Sequence, residues 1–294
     1  MSARGSAGAP DFVAIGHFTI DMMPWGPALG GSVVYGALTA ARAGLRAGIL
    51  TRGNIDDLPR AVRAELELVS GEVKLIIQAS RATTTFTNNE VVDRRVQTLH
   101  AWGGEIDLSG LPPEWRGVQI MHLAPVAQEL DARGLARLAP TYLGVTPQGW
   151  VRHWGSTLPA QVYLEQLKLS PELSARFDAM VASAEELAML REPYDAVSRT
   201  GLAVVTRGRR GATALDRGRV SEVQGYQGER VDTTGAGDVF AAMLFALRGR
   251  GQPLIRSLQC AAAAAALSIT ARGITAIPTM AEVEDVVEAG ELRP

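Results

Sequence analysis

The 294-residue chain is poor in cysteine, lysine and aromatic residues. Cys260 is its single cysteine, which excludes an internal disulfide framework and a zinc site built from cysteines. The formal net charge of −2 gives no electrostatic reason to expect nucleic acid as a partner. No apolar run is long enough to span a bilayer, and the first ten residues lack the apolar core of a signal peptide. These absences predict a cytoplasmic globular protein without a nucleic-acid or membrane partner.

The motifs of several common enzyme classes are absent as well. No G-x-x-x-x-G-K-[ST] is present to support a P-loop, and no G-x-G-x-x-G follows a strand to bind a dinucleotide. The chain has neither H-E-x-x-H nor the G-x-S-x-G of a nucleophile elbow. The four histidines lack metal-ligand spacing, so we interpret each as a structural or surface side chain: His17, His100, His122 and His153.

Apolar runs alternate with helical patterns along most of the chain. The alternation predicts strands at 11–16, 46–51, 117–125, 141–146, 178–182, 202–206, 211–216 and 219–223, and helices at 31–45, 127–138, 259–272 and 279–289. Such alternation indicates a mainly parallel sheet covered by helices. The stretch 72–100 is β-prone without a helical pattern, which predicts an antiparallel patch or flap beside the sheet. No long linker interrupts residues 1–294, which predicts a single domain.

The stretch VDTTGAGDVF, residues 231–240, carries the chemistry most clearly. Gly235 and Gly237 leave backbone N–H groups unobstructed where a helix begins, and the helix dipole adds positive potential there. Asp238 in the first turn would repel a bound phosphate unless it accepts a proton from an attacking hydroxyl. The alternative is an ordinary helix start with an aspartate that stabilises the dipole. The residues alone favour neither interpretation.

The longer stretch DTTGAGDVFAAMLFAL resembles the signature of the ribokinase-like, PfkB-type carbohydrate kinases. The resemblance implies a three-layer α/β/α sandwich with a mainly parallel central sheet and a small β lid, contributed by about residues 17–28 and 72–102. It implies that Asp238 is the catalytic base. It also implies that the phosphates of ATP bind in an anion hole formed by Thr234, Gly235, Ala236 and Gly237.

Three other segments resemble parts of the same family. GHFTIDMMPWGPALGGSVVYG implies that Asp21 binds substrate hydroxyls and that Gly30 and Gly31 let the substrate approach the backbone; the alternative for Asp21 is a turn residue before Pro24. VVTRGRRGATAL resembles the strand–turn–strand that lines the nucleotide, or a plain glycine hairpin. Its nucleotide residues would be Thr206, Gly208 and Gly211, and by resemblance Gly273 borders the adenine.

VASAEELAML, residues 181–190, resembles the family's N-x-x-E region, which organises Mg²⁺ and phosphates. Glu186 fits the glutamate, and Ser183 stands where asparagine is usual. The alternative for Glu186 is a solvated glutamate on a helix. Many relatives also bind a monovalent cation such as K⁺ near the 232–234 loop.

The acceptor is the least determined part. Tyr35 stands where the sugar-specific pattern GGxxxN has asparagine, and the Q-G-aromatic-x-R stretch ending at Arg152 is similar to the myo-inositol kinase branch. We therefore expect an ATP-dependent kinase acting on a small sugar, polyol or cyclitol, with Tyr35 and Arg152 at the acceptor. The alternatives are a nucleoside kinase and a catalytically silent nucleotide- or sugar-binding protein. In relatives the lid can also form a homodimer interface.

Overall fold

The computed structural model describes residues 8–91 and 94–291. In chain order the strands are β1 (Phe12–Ile15), β2 (Thr19–Met23), β3 (Gly26–Gly30), β4 (Ala47–Gly53), β5 (Lys74–Ala79), β6 (Thr85–Val91), β7 (Arg94–Ala101), β8 (Ile120–Leu123), β9 (Tyr142–Val145), β10 (Arg152–His153), β11 (Ala160–Gln161), β12 (Tyr163–Leu164), β13 (Ala179–Ser183), β14 (Leu202–Thr206), β15 (Ala212–Asp216) and β16 (Arg219–Val223).

The α-helices are α1 (Ser32–Arg42), α2 (Arg60–Glu72), α3 (Pro113–Arg116), α4 (Gln148–Val151), α5 (Pro171–Ser174), α6 (Arg191–Thr200), α7 (Ala236–Arg248), α8 (Leu254–Ser268) and α9 (Met280–Ala289). Short 3-10 turns lie at Leu108–Gly110, Ala132–Arg137, Glu186–Met189, Gly208–Arg210 and Gly273–Ala276. In the described ranges no helix has the length and apolarity needed to cross a membrane.

Within the described residues, nine strands form the main sheet in the order β16-β15-β14-β13-β9-β8-β1-β4-β5. The strands from β14 to β5 pair in parallel, and β15 and β16 add an antiparallel hairpin at the other edge. A five-stranded sheet, β11-β7-β6-β2-β3, lies apart from it as the lid. The predicted mainly parallel sheet with a β lid is confirmed.

The core lies on both faces of the main sheet. Phe12 and Ala14 of β1 pack into the cluster that contains α1, α7 and α8, whereas Val13 and Ile15 pack into the cluster on the opposite face. Strands buried on both faces need continuous apolar runs, which is why β1 reads FVAI. Five of the six alanines of α8 are buried, so they let the helix approach α7 closely. These layers form the expected α/β/α sandwich.

Two predicted elements were wrong. The run EVKLIIQAS, residues 72–80, lies in the stretch predicted to form the lid, but its strand β5 pairs in parallel with β4 at the edge of the main sheet. The helix α2 precedes β5 and provides the crossover that parallel pairing requires, so the lid strands of this region begin only at Thr85.

The predicted helix at 127–138 is reduced to the 3-10 turn at Ala132–Arg137. Gln128 has a positive φ of 59°, and the buried Glu129 carboxylate accepts hydrogen bonds from the amides of Val126 and Ala127. These contacts satisfy the amides without a helix and hold the chain in an irregular turn.

Candidate active site

A cavity of about 680 Å³ lies between the lid and the carboxyl ends of the main-sheet strands β9, β13 and β14. Open parallel sheets bind ligands at this edge. Eleven of the residues expected at the site line it: Asp21, Gly31, Tyr35, Arg152, Glu186, Thr206, Gly208, Thr234, Gly235, Gly237 and Asp238. The topology thus brings together segments that are far apart in the sequence.

The start of α7 faces this cavity. Gly235, the N-cap, adopts the left-handed conformation with φ 77°, and Ala236 is the first residue of the 13-residue helix. The Thr234 amide donates to Asp232 Oδ1 at 2.9 Å, which fixes the loop just before the helix. The N-terminal amides of a helix of this length bind anions readily, as the sequence predicts. Ala236 itself does not line the cavity.

Tyr35 packs under this loop. Its ring is 3% exposed and lies so close that a methyl group on Gly235 would be 2.4 Å from Cδ1 and Cε1. Burial, followed by the charges of Asp21, Asp232 and Asp238, raises the pKa of the Tyr35 hydroxyl well above its usual value. The hydroxyl therefore stays protonated, and the ring supports the glycine loop from one side.

The Asp238 carboxylate lies within hydrogen-bond distance of the Gln148 side chain. Gln148 Nε2 lies 3.3 Å from Asp238 Oδ1 and also donates to Ser32 Oγ. Gln148 Oε1 accepts a hydrogen bond of 2.6 Å from Arg152 Nη2. The base predicted from the sequence is therefore connected to Arg152 through Gln148.

Asp21 lies on β2 with 8% of its surface exposed, and it accepts a hydrogen bond of 2.9 Å from Thr19 Oγ1. Its pairing with Ala28 places it within a strand, so the alternative of a turn residue is wrong. A methyl group on Gly30 would lie 2.2 Å from Asp21 Oδ2, and Gly30 does not line the cavity. Gly30 thus makes room for the carboxylate rather than facing the cavity.

Gly31, by contrast, does line the cavity. Its φ of 98° is positive, and a methyl group there would lie 2.3 Å from the carbonyl oxygen of His17. Packing against the backbone is therefore enough to require glycine at this position.

Ser183, Glu186, Thr206 and Gly208 line the end of the cavity formed by β13 and β14. The Ser183 amide donates to Glu186 Oε2 at 2.9 Å, and the Glu186 amide donates to Ser183 Oγ at 3.2 Å. The two residues thus exchange side-chain-to-backbone hydrogen bonds over an S-x-x-E spacing, which is the pairing pattern that capping boxes also use. Glu186 is half-buried and begins a short 3-10 helix, so its role toward Mg²⁺ stays a prediction beside the alternative of a solvated helix glutamate.

Two predicted nucleotide residues lie outside this cavity. Gly211 has φ 78°, and a methyl group there would meet the Val223 carbonyl oxygen at 1.9 Å, so glycine is required where the turn after β14 enters β15 and packs against the end of β16. Gly273 lines a smaller cavity of about 50 Å³ beside Tyr35, and its amide lies 3.4 Å from Asp232 Oδ2. Neither residue is a wall of the large cavity.

Residues 160–280 match the family described as pfkB family carbohydrate kinase. Residues 160–280 therefore belong to a PfkB family carbohydrate kinase domain. The matched segment contains the glycine loop and Asp238.

Curated relatives of this kinase domain extend the similarity along the chain. It is 28% identical to a fructokinase of Klebsiella pneumoniae over 293 residues, which cover 90% of this chain and 95% of that one. It is 27% identical to a cytidine kinase of Thermococcus kodakarensis, over 83% of this chain and 90% of the relative. A local match of 39% over 88 residues joins it to a 2-dehydro-3-deoxygalactonokinase of Haloferax volcanii, with 30% of this chain and 28% of that one covered.

Solved structures show the ribokinase-like fold. A pyrophosphate-dependent kinase in the ribokinase family, complexed with a pyrophosphate analog and myo-inositol, superposes with a TM-score of 0.75 at 18% identity. The match covers 93% of this chain and 99% of that one. A nucleoside kinase of Methanocaldococcus jannaschii gives 0.72 at 19% identity, over 96% and 100% of the two chains.

Several polar residues that line the cavity were not predicted from the sequence, among them Ser32, Gln148, Arg207 and Arg210. The Q-G-aromatic-x-R spacing could have indicated Gln148, because residues four apart on a helical turn lie on one side. Arg207 and Arg210 lie on either side of the predicted Gly208 in the TRGRRG turn, where an arginine has no spacing pattern that distinguishes a ligand-binding side chain from a solvated one. Ser32, next to the predicted Gly31, carries no signal beyond that proximity.

Proposed function

We propose that the chain transfers the terminal phosphoryl group of ATP to a hydroxyl of a small sugar, polyol or cyclitol. The supporting observation is that one cavity contains the Asp238 carboxylate, the N-terminus of α7 and the polar lid residues. This is the combination that phosphoryl transfer needs: a base for the hydroxyl proton and fixed donors for the phosphoryl oxygens.

In the proposed reaction the acceptor hydroxyl gives its proton to Asp238 as its oxygen attacks the terminal phosphorus. The bond from that phosphorus to the bridging oxygen breaks, and the bridging oxygen leaves with the remaining phosphates. Backbone amides from Gly235 to Gly237 stabilise the negative charge on the transferring group. The Tyr35 ring holds this loop against movement.

The donor end of the cavity fits a magnesium–phosphate complex. Among the described residues no group of three or more His, Cys, Asp or Glu side chains could hold a metal by itself. Mg²⁺ commonly binds through phosphates, waters and one or two carboxylates, and Glu186 supplies a carboxylate at this end. When bound, Mg²⁺ would neutralise phosphate charge; we propose that Glu186 contacts it indirectly. A K⁺ ion beside the 232–234 loop also stays a prediction.

The acceptor end favours a ligand with several hydroxyls. Thr19, Asp21, Asn88, Gln97 and Arg152 line it, and together they offer both donors and acceptors. Gln97 Nε2 donates to Asn88 Oδ1 at 2.8 Å, so the two lid strands present a linked amide pair. We propose a polyol or cyclitol acceptor over ribose, and a nucleoside as the alternative.

Pyrophosphate is a second candidate for the donor. Arg207 and Arg210 line the same end as Gly208, which gives two guanidinium groups for a compact polyanion. The solved kinase complexed with a pyrophosphate analog and myo-inositol supports the same alternative. The phosphoryl-transfer step at Asp238 is the same for either donor.

A panel of donors and acceptors tests the proposal. Each of ATP and pyrophosphate is combined with myo-inositol, ribose, fructose and cytidine, and kcat/KM is measured for each pair. We expect the highest value for ATP with a polyol or cyclitol. A higher kcat/KM with pyrophosphate than with ATP would identify pyrophosphate as the donor. A higher kcat/KM with cytidine than with the polyols would identify a nucleoside as the acceptor. Donor binding without turnover on a broad panel would favour the silent binding protein.

We also propose that the protein forms a homodimer and lies in the cytoplasm. In the lid, Met22 is 41% exposed and Trp25 is 46% exposed, which suits a homodimer through this sheet. Light scattering coupled to size-exclusion chromatography gives the mass that decides between monomer and dimer.

A further inference from the structure

The side-chain amide of Gln148 has one orientation that satisfies its neighbours. Its Oε1 faces Arg152 Nη2 at 2.6 Å, and its Nε2 faces Asp238 Oδ1 at 3.3 Å. A guanidinium only donates and an ionised carboxylate only accepts, so a rotated amide would oppose like groups on both sides. The second hydrogen of Nε2 goes to Ser32 Oγ. Both hydrogens of the Gln148 amide nitrogen therefore have an acceptor.

The other end of this chain of contacts reaches the lid. Arg152 Nη1 donates to the Val126 carbonyl oxygen at 3.1 Å, and its guanidinium lies 5.8 Å from the ring centroid of Phe86. Phe86 belongs to β6, a strand of the lid. The side chain of Gln128 donates to the Arg152 carbonyl oxygen at 2.9 Å, which holds the same segment from the backbone side.

We propose that Gln148 is a positioning residue that keeps the Asp238 carboxylate ionised and oriented toward the cavity. Arg152, which contacts both Gln148 and the lid residue Phe86, connects this positioning to the lid. This inference rests on the proposed function only in taking Asp238 as the base. The positive guanidinium on Oε1 polarises the amide and makes Nε2 a stronger donor. A donor to a carboxylate oxygen favours the charged form of the carboxylate.

Two variants of one position separate this role from simple packing. Gln148→Met keeps the length of the side chain but removes both the donor and the acceptor. Gln148→Glu keeps an acceptor for Arg152 but presents a second negative charge to Asp238. If Gln148 only anchored Arg152, the glutamate variant would be the milder one; if it positions the base, the glutamate variant is the more severe.

Gln128→Met is the matched control, because Gln128 holds the carbonyl oxygens of Trp150 and Arg152 in the same segment. It removes a glutamine amide from that segment without removing the contact to Asp238. We expect it to leave the pH dependence of kcat unchanged.

The first measurement is the pH profile of kcat. We expect the acid limb to move upward by roughly 0.5–1 pH unit in Gln148→Met and further in Gln148→Glu, because the carboxylate loses a donor or gains a like charge. The KM for the phosphoryl donor should stay within about twofold, because the change removes a contact to the base and not to the donor.

The second measurement needs no turnover. Carbon-13 labelling of aspartate carboxyl groups gives the titration midpoint of Asp238 by NMR, with Asp238→Asn identifying the resonance. The proposal predicts midpoints in the order wild type, Gln148→Met, Gln148→Glu from lowest to highest. Equal midpoints in the three proteins would overturn it, even in a protein for which no acceptor is found. If the wild type is inactive but the titration midpoints follow the predicted order, only the proposed function is contradicted and the role of Gln148 stands.

Discussion

Replacing Gly235 by alanine tests how the glycine loop is held. The new methyl group would lie 2.4 Å from two carbons of the Tyr35 ring, well inside van der Waals contact. Tyr35 is 3% exposed, so its ring has little room to move away. The φ of 77° adds strain for any residue with a Cβ. The substitution should therefore disturb the loop through both the backbone and the ring.

The two costs can be estimated separately. An alanine in the left-handed region costs about 1–2 kcal/mol. Forcing a methyl group into a packed site costs about 1–3 kcal/mol more. We expect the free energy of unfolding to fall by the sum, roughly 2–5 kcal/mol. A displacement of the loop amides by about 1 Å should also lower kcat by about 100-fold.

A double-mutant cycle isolates the ring contact. Tyr35→Ala removes the ring, so the double variant with Gly235→Ala keeps the backbone strain but loses the clash. The cycle should show a coupling of roughly 1–3 kcal/mol, with the double variant more stable than the sum of the single effects predicts.

Urea unfolding followed by circular dichroism measures all four proteins. Gly237→Ala is the stability control, because no atom lies within 4 Å of a methyl group built there. It should not be destabilised. Effects of Gly235→Ala and Tyr35→Ala that add within about 0.5 kcal/mol would refute the contact.

Three further predictions concern the base, the metal and a buried histidine. Asp238→Asn should lower kcat by about 10²–10⁴ and leave the donor Kd from calorimetry nearly unchanged; near-normal turnover would contradict the base assignment. Glu186→Gln should raise the Mg²⁺ concentration for half-maximal activity roughly tenfold, and an unchanged Mg²⁺ titration would exclude an indirect metal contact. Burial lowers the pKa of His122 to about 3, so the unfolded state takes up a proton first, and stability falls by about 1.4 kcal/mol per unit as pH drops from 6.5 toward 3. Urea unfolding at pH 7 and pH 5 should show a smaller loss in His122→Asn than in wild type, with His153→Gln as the control; equal losses in the wild type and His122→Asn would contradict this origin.

Local features made part of this molecule predictable. The continuous apolar run of β1 and the glycines before α7 have consequences within a few residues, so the sheet and the helix N-terminus could be read from the sequence. Ser183 and Glu186 are three residues apart, and their S-x-x-E spacing is also a local pattern.

Contacts between distant residues could not be read in the same way. Gln148 and Asp238 are 90 residues apart, and the turn at Glu129 depends on its contact with the His17 amide, 112 residues away. The position of β5 depends on its pairing with β4 across the helix α2. Gly30 and Gly211 illustrate the same limit, because the groups that require glycine there lie on neighbouring strands or turns.

We propose that Asp238 supports phosphoryl transfer from a phosphate donor to a hydroxyl in this cavity. The decisive experiment is phosphorus-31 NMR of wild type and Asp238→Asn, each incubated with Mg²⁺, donor and a pooled panel of sugars, polyols and nucleosides. We expect a new phosphomonoester signal that forms with wild type and that the variant forms at least about 100-fold more slowly. No new phosphomonoester with wild type, or the same rate with both proteins, would contradict it.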